Sequence, residues 1–86
     1  MTDKDRALIA RMLDFSRRIQ RRISSVSLDK FLTDIDLQDM ILYAVGHVGE
    51  NANLVSDDTK EAHSDILWHA VIGIRNRVFI PMPTLT

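Results

Sequence analysis

Eighty-six residues with a net charge of −1 allow one domain, too short to bury more than a modest fraction of its surface, so a partner subunit is expected to complete the core. The absence of cysteine excludes a disulfide framework and a thiolate metal site, and apolar runs broken every few residues by charge exclude a membrane span. With no basic-apolar-small leader pattern at the N-terminus, a cytoplasmic protein is expected.

The first 26 residues hold seven basic side chains (Lys4, Arg6, Arg11, Arg17, Arg18, Arg21, Arg22) against three acidic ones (Asp3, Asp5, Asp14), a local charge of +4 beside −5 for the rest. In this segment Leu8, Met12, Phe15, Ile19, Ile23 and Val26 alternate spacings of three and four, which predicts a helix of roughly six turns with one apolar stripe. The arginines fall mostly off that stripe. Ser27 is the expected N-cap of a short turn in which Phe31 and Leu32 plug the end of a bundle, and Thr33 or Asp34 caps a second long helix. That helix runs to about Leu54 on a stripe of Leu37, Ile41, Ala44, Val48 and Ala52 flanked by Met40 and Val45. Gly46 and Gly49 stand inside it at a cost of roughly 1 kcal/mol each relative to alanine, which points to close backbone approach by another helix.

Ser56, Asp57 and Asp58 then cap a short helix through Ala62, and Ser64 or Asp65 opens a last one from Ile66 to about Phe79 with Trp68, Val71, Ile72, Arg75 and Phe79 on its inner side. The prolines at 81 and 83 end it. The sum is an open all-α bundle of two long helices and one or two shorter ones.

Arg75 stands out because helical phase sets a guanidinium among Trp68, Val71 and Phe79. Phase alone favours a snorkelling arginine whose stem packs while its head reaches water; the alternative is a planar donor fork aimed at a phosphate. Arg17, Arg18, Arg21 and Arg22 line one helical flank, as a solvated face or as a site for RNA phosphates or an acidic protein surface. No aromatic is interleaved with them in the sequence, so base stacking there is not expected. His47, His63 and His69 form no metal-binding frame, and Asp36 with Asp39 and Asp58 with Glu61 read as exposed acidic pairs. There is no glycine-rich phosphate loop and no serine or cysteine nucleophile motif.

Taken in order, Asp5-Arg6 opening a long helix, Phe31-Leu32, Gln38-Asp39, Gly49-Glu50, Trp68 and Ile72-Gly73-Ile74-Arg75-Asn76-Arg77 resemble the HepT-like branch of the HEPN family, over residues 5–79. The resemblance implies an antiparallel helical bundle of the HEPN type that forms a homodimer or higher oligomer, with the Arg-x4-His-x-Tyr motifs of both subunits facing a shared cleft. It implies a metal-independent ribonuclease without cofactor, acting as a toxin. The implied partner is a small nucleotidyltransferase antitoxin of the MNT class, which in some systems adenylylates the motif tyrosine.

Carried over by position, Arg75 takes the place of the motif arginine and Asn76 that of the polar residue after it, whereas the histidine falls on Ile80 and the tyrosine on Met82. Isoleucine neither accepts nor donates a proton and methionine has no hydroxyl, so an inactive form is expected. The family continues into a further helix where this chain ends at Thr86, so the expectation is a HEPN-like domain over 1–80 lacking its last helix, with a non-family tail over 81–86.

Codons for Ile-Pro-Met-Pro-Thr-Leu-Thr, chosen within the code's degeneracy and read one base earlier after a C, spell His-Pro-Tyr-Ala-Asp-Ile-Asp. A single-base frameshift in a normal toxin gene is thus one origin for the tail, and divergence the other. The competing functional readings are a non-catalytic dimeric module that binds a nucleotidyltransferase or a nucleotide, and a helical adaptor outside the family.

Overall fold

The computed structural model describes residues 1–79, and the expected tail, with Ile80 and Met82, lies outside them. Five helices follow in order: α1 (Asp3–Ile23), α2 (Leu28–Thr33), α3 (Ile35–Leu54), α4 (Asp57–Ala62) and α5 (Trp68–Phe79). There is no strand among the described residues, and the chain is all-α as expected.

Each boundary follows from local hydrogen bonding. Thr2 caps α1 by accepting the Asp5 N–H at 3.0 Å, with Asp3 and Asp5 in the first turn and Arg21 and Arg22 in the last, where they complement the helix dipole. The helix stops at Ile23, short of Val26, because Ser24 closes it with its N–H on the Gln20 carbonyl and its hydroxyl on the Arg21 carbonyl. Val26 instead donates to the Ile23 carbonyl in the turn that follows.

Ser27 caps α2 through the Lys30 N–H at 3.1 Å. Asp34 both terminates α2 and caps α3, accepting the Leu37 N–H at 3.0 Å, and that bond above all holds its carboxyl below the ordinary range. Gln38 donates to the Phe31 carbonyl at 2.8 Å and so ties α2 down onto α3. Of the expected end plug, Phe31 is half-buried but Leu32 is 62% exposed, since α2 contributes a single turn or so and only one of its faces meets α3.

Ser56 caps α4, as the serine and aspartates there suggested. The last helix begins at Trp68 rather than at Ile66. The His63 carbonyl accepts both the Ile66 N–H at 3.1 Å and the Trp68 indole N–H at 3.1 Å, and these bonds hold residues 63–67 in a turn before the helix opens.

The α3 helix is the spine, packed against α1 on one side and α5 on the other. Asp5 of α1 meets Ser56 beyond the end of α3 while Phe15 meets His47 and Tyr43 nearer its start, so α1 and α3 run antiparallel. Trp68 at the start of α5 packs with Ala52 and Val55, and Arg75 further along reaches back to Glu50, so α5 is antiparallel to α3 as well.

The core sits at one end of this bundle: Leu8, Ala52, Val55 and Trp68 are buried together, with Ile9, Met12, Val71 and Ile72 packed around them. A polar clamp closes that end. The Asp5 carboxylate, 2% exposed, accepts the Ser56 N–H at 3.0 Å, the Ser56 hydroxyl at 2.6 Å and the Thr59 hydroxyl at 2.7 Å. These donors, the Ser56 hydroxyl foremost, hold the carboxyl far below the ordinary carboxylate range against the opposing effect of burial. The other end stays open, with Leu28, Leu32, Ile35, Leu42 and Tyr43 all exposed.

Candidate functional site

Arg75 is placed by a glycine. A Cβ built on Gly49 would stand 2.5 Å from the Arg75 Cβ and 2.6 Å from the Val71 carbonyl oxygen, so only a residue without a side chain lets α5 cross α3 this closely. The close approach expected at Gly49 is therefore made, and it is made against the turn of α5 that carries the arginine. One residue on, the Glu50 carboxylate accepts the Arg75 Nε–H at 2.6 Å. The Arg75 Nη1 donates to the Asn76 side-chain oxygen at 2.8 Å.

The stem of Arg75 packs against Gly49 while its guanidinium, half-buried, keeps a protein partner in Glu50. It is oriented from two sides, by Glu50 and by Asn76. Glu50 entered the sequence reading only as a landmark, with no role. Its signal was its position beside the glycine that the packing argument had already singled out.

The four flanking arginines of α1 are all exposed, but they divide. Arg18, Arg21 and Arg22 line a hollow of about 420 Å³ between α1 and α3, together with Phe15 and Tyr43, and Arg17 is not among its lining residues. Arg18 is paired with Asp14 at 2.8 Å and lies 5.2 Å from the centroid of the Phe15 ring, a cation–π geometry. Two rings thus stand beside arginines that have none interleaved with them in the sequence: Phe15 from α1 itself, and Tyr43 from α3, which cannot be seen by reading α1 alone.

A second hollow of about 440 Å³ shares Phe15 and Arg18 with the first and is otherwise lined by Arg11, Asp14, His47, Glu50, Asn51 and Leu54. The His47 ring stacks on Phe15 with centroids 5.1 Å apart and 13° between planes, and lies 4.3 Å from Tyr43. Asn51 is buried and donates to the His47 carbonyl at 2.8 Å. Spacings of four and three bring Tyr43, His47 and Glu50 onto one face of α3, and the same rule aligns Arg11, Phe15, Arg18 and Arg22 on α1. The two stripes form the walls.

Among the described residues no group of three His, Asp or Glu side chains could hold a metal ion, and no helix is long and apolar enough to cross a membrane. No curated protein and no solved structure matches the chain. A family model described as ribonuclease HepT-like does match, over residues 12–79, which takes in α3, α4, α5, most of α1 and the Gly49–Arg75 crossing. With most of its length matched and its landmarks in the expected order, the chain belongs to the HepT-like ribonuclease family of HEPN proteins.

Proposed function

We propose that this chain derives from the ribonuclease toxin of a toxin–antitoxin pair, acting as a homodimer beside an MNT-class nucleotidyltransferase antitoxin, and that it is catalytically silent in the present form. The observation that carries the proposal is Arg75, set on α5 by Gly49 and oriented by Glu50 and Asn76. A guanidinium so held is suited to the charge that develops on a phosphate when a ribose 2′-hydroxyl attacks it, because the cost of orienting the donor is met before substrate arrives. Glu50 and Asn76 act through Arg75, fixing the plane of its fork.

RNA cleavage of this kind also needs a group to take the 2′-hydroxyl proton, and a histidine titrating near neutrality is suited to it. The motif position for that base holds Ile80, and the position for the adenylylated tyrosine holds Met82. The site thus has its charge-stabilising half and lacks its proton-accepting half.

The test is an RNA cleavage assay on the purified chain and on an Ile80→His/Met82→Tyr variant. The parent is expected to be inactive and the variant to cleave without added metal, with Arg75→Ala abolishing the gain. No cleavage by the variant, under conditions where it stays helical and oligomeric, overturns the proposal.

The missing base also favours a second reading, in which the bundle binds a nucleotidyltransferase or a nucleotide without cutting RNA. In that case a neighbouring nucleotidyltransferase co-purifies with the chain, while repair at 80 and 82 produces no nuclease.

A further inference from the structure

We infer that the groove between α1 and α3 is a track for single-stranded RNA that leads to Arg75, with Tyr43 as a platform for an unpaired base and Arg21 and Arg22 as phosphate contacts. This deepens the ribonuclease reading and rests on it. Three observations carry it.

The first is continuity. The hollow at Tyr43 and the hollow at Glu50 share Phe15 and Arg18 as a common wall, and Glu50 is the residue that grips Arg75. A ligand lying along the groove therefore ends against Glu50, beside the guanidinium that this carboxylate holds on α5.

The second is chemistry. Tyr43 is 57% exposed while its ring meets Phe15 in an edge geometry at 6.4 Å and lies tilted against His47 at 4.3 Å, so the ring is held by two neighbours with more than half of the residue open to solvent. Exposed rings beside arginines suit unpaired bases, which stack on them whatever their identity, while the arginines neutralise the backbone. A duplex hides those base faces, so the track is specific for single strands.

The third is length. Tyr43 and Glu50 stand seven residues apart on α3, roughly 10 Å at 1.5 Å per residue, which spans about three nucleotides stacked at roughly 3.4 Å. A base on Tyr43 is thus placed two or three nucleotides from the phosphate that Arg75 receives.

An acidic protein segment is the other class of partner that arginines attract, but it has no use for the rings.

Fluorescence titration of the whole chain with a labelled single-stranded oligouridine of about ten nucleotides, over a range of salt, tests the track. Tyr43→Ala is expected to weaken binding roughly tenfold and Tyr43→Phe to leave it within about twofold, as stacking requires. Arg21→Ala/Arg22→Ala is expected to reduce the slope of log affinity against log salt by about 1.4, the loss of two phosphate contacts on a single strand. A poly-glutamate peptide is expected to compete poorly.

Equal RNA affinity for Tyr43→Ala and the parent overturns the track, and so does poly-glutamate competing as well as RNA. If the Ile80→His/Met82→Tyr chain cleaves RNA while Tyr43→Ala binds normally, the track alone fails. If neither the parent nor the repaired chain binds RNA at all, the ribonuclease reading fails with it.

Discussion

Arg75 occupies the space that a side chain on Gly49 would need, with its Cβ 2.5 Å and its N 3.0 Å from a Cβ built there. Gly49→Ala is therefore expected to push α5 off α3 even though alanine favours the helix by roughly 1 kcal/mol. Overpacking of this kind costs about 1–3 kcal/mol, so the urea midpoint should fall. Gly73→Ala is the internal control. Nothing lies within 4 Å of a Cβ there, and the substitution should stabilise by roughly 0.5–1 kcal/mol. A destabilised Gly73→Ala beside an unchanged Gly49→Ala would contradict the helix crossing.

Glu50→Ala removes the carboxylate that orients Arg75. Both partners are partly exposed, so the loss of stability should be about 1 kcal/mol or less. In the Ile80→His/Met82→Tyr background, cleavage should nevertheless fall by at least about tenfold, since small misplacement of an oriented group is costly to rate. Glu50→Gln keeps an acceptor for the Nε–H and should fall less. Equal rates for Glu50→Ala and its parent would show that the pair does not orient the guanidinium.

Acid should act first through Asp5. Its carboxyl is held below the ordinary aspartate value near ~4, so the stability it confers is fully present above that value and drains away as pH falls below it towards the folded-state pKa. Asp34 is shifted in the same direction by the Leu37 N–H and contributes to the same slope. Urea unfolding at several pH values below neutrality should therefore show a midpoint that drops below pH ~4, and Asp5→Asn should flatten that drop while lowering stability at neutral pH. An unchanged slope in Asp5→Asn would remove Asp5 from the account.

Self-association is expected on physical grounds. Leu28, Leu32 and Ile35 are each more than 60% exposed at the open end, and Leu67 is 74% exposed at the other. Large apolar side chains displayed in this number are usually covered by a partner. Sedimentation at micromolar concentration should report a dimer or larger species, and a monomer there would count against the homodimer.

Much of the architecture was legible because it is written locally. Ser27, Asp34 and Ser56 each cap the helix that follows, the periodicity of α3 runs to Leu54, and Gly49 announced a close crossing. Errors arose where one segment's pattern met another's hydrogen bonds. Val26 fits the α1 stripe but follows a serine that closes the helix, and Ile66 fits the α5 stripe but is held in a turn by the His63 carbonyl.

The site divided along the same line. Arg75 stood out from its phase on its own helix, whereas its partner Glu50 lies 25 residues earlier in the chain, and Tyr43, which shares a hollow with the α1 arginines, belongs to α3 and is out of reach of a reading of α1 alone.

The placement of the core at one end has a consequence for how the molecule yields. Trp68, Leu8, Ala52 and the Asp5 clamp lock the ends of three helices together, while α2 is fixed to α3 mainly by Asp34, Gln38 and the half-buried Phe31. Resistance to opening should therefore be graded along α3, with amide hydrogens near Ala52 and Val55 exchanging slowest and those of α2 fastest. The hollow between Arg22 and Tyr43 lies toward the yielding end, whereas the Gly49–Arg75 crossing lies toward the locked one.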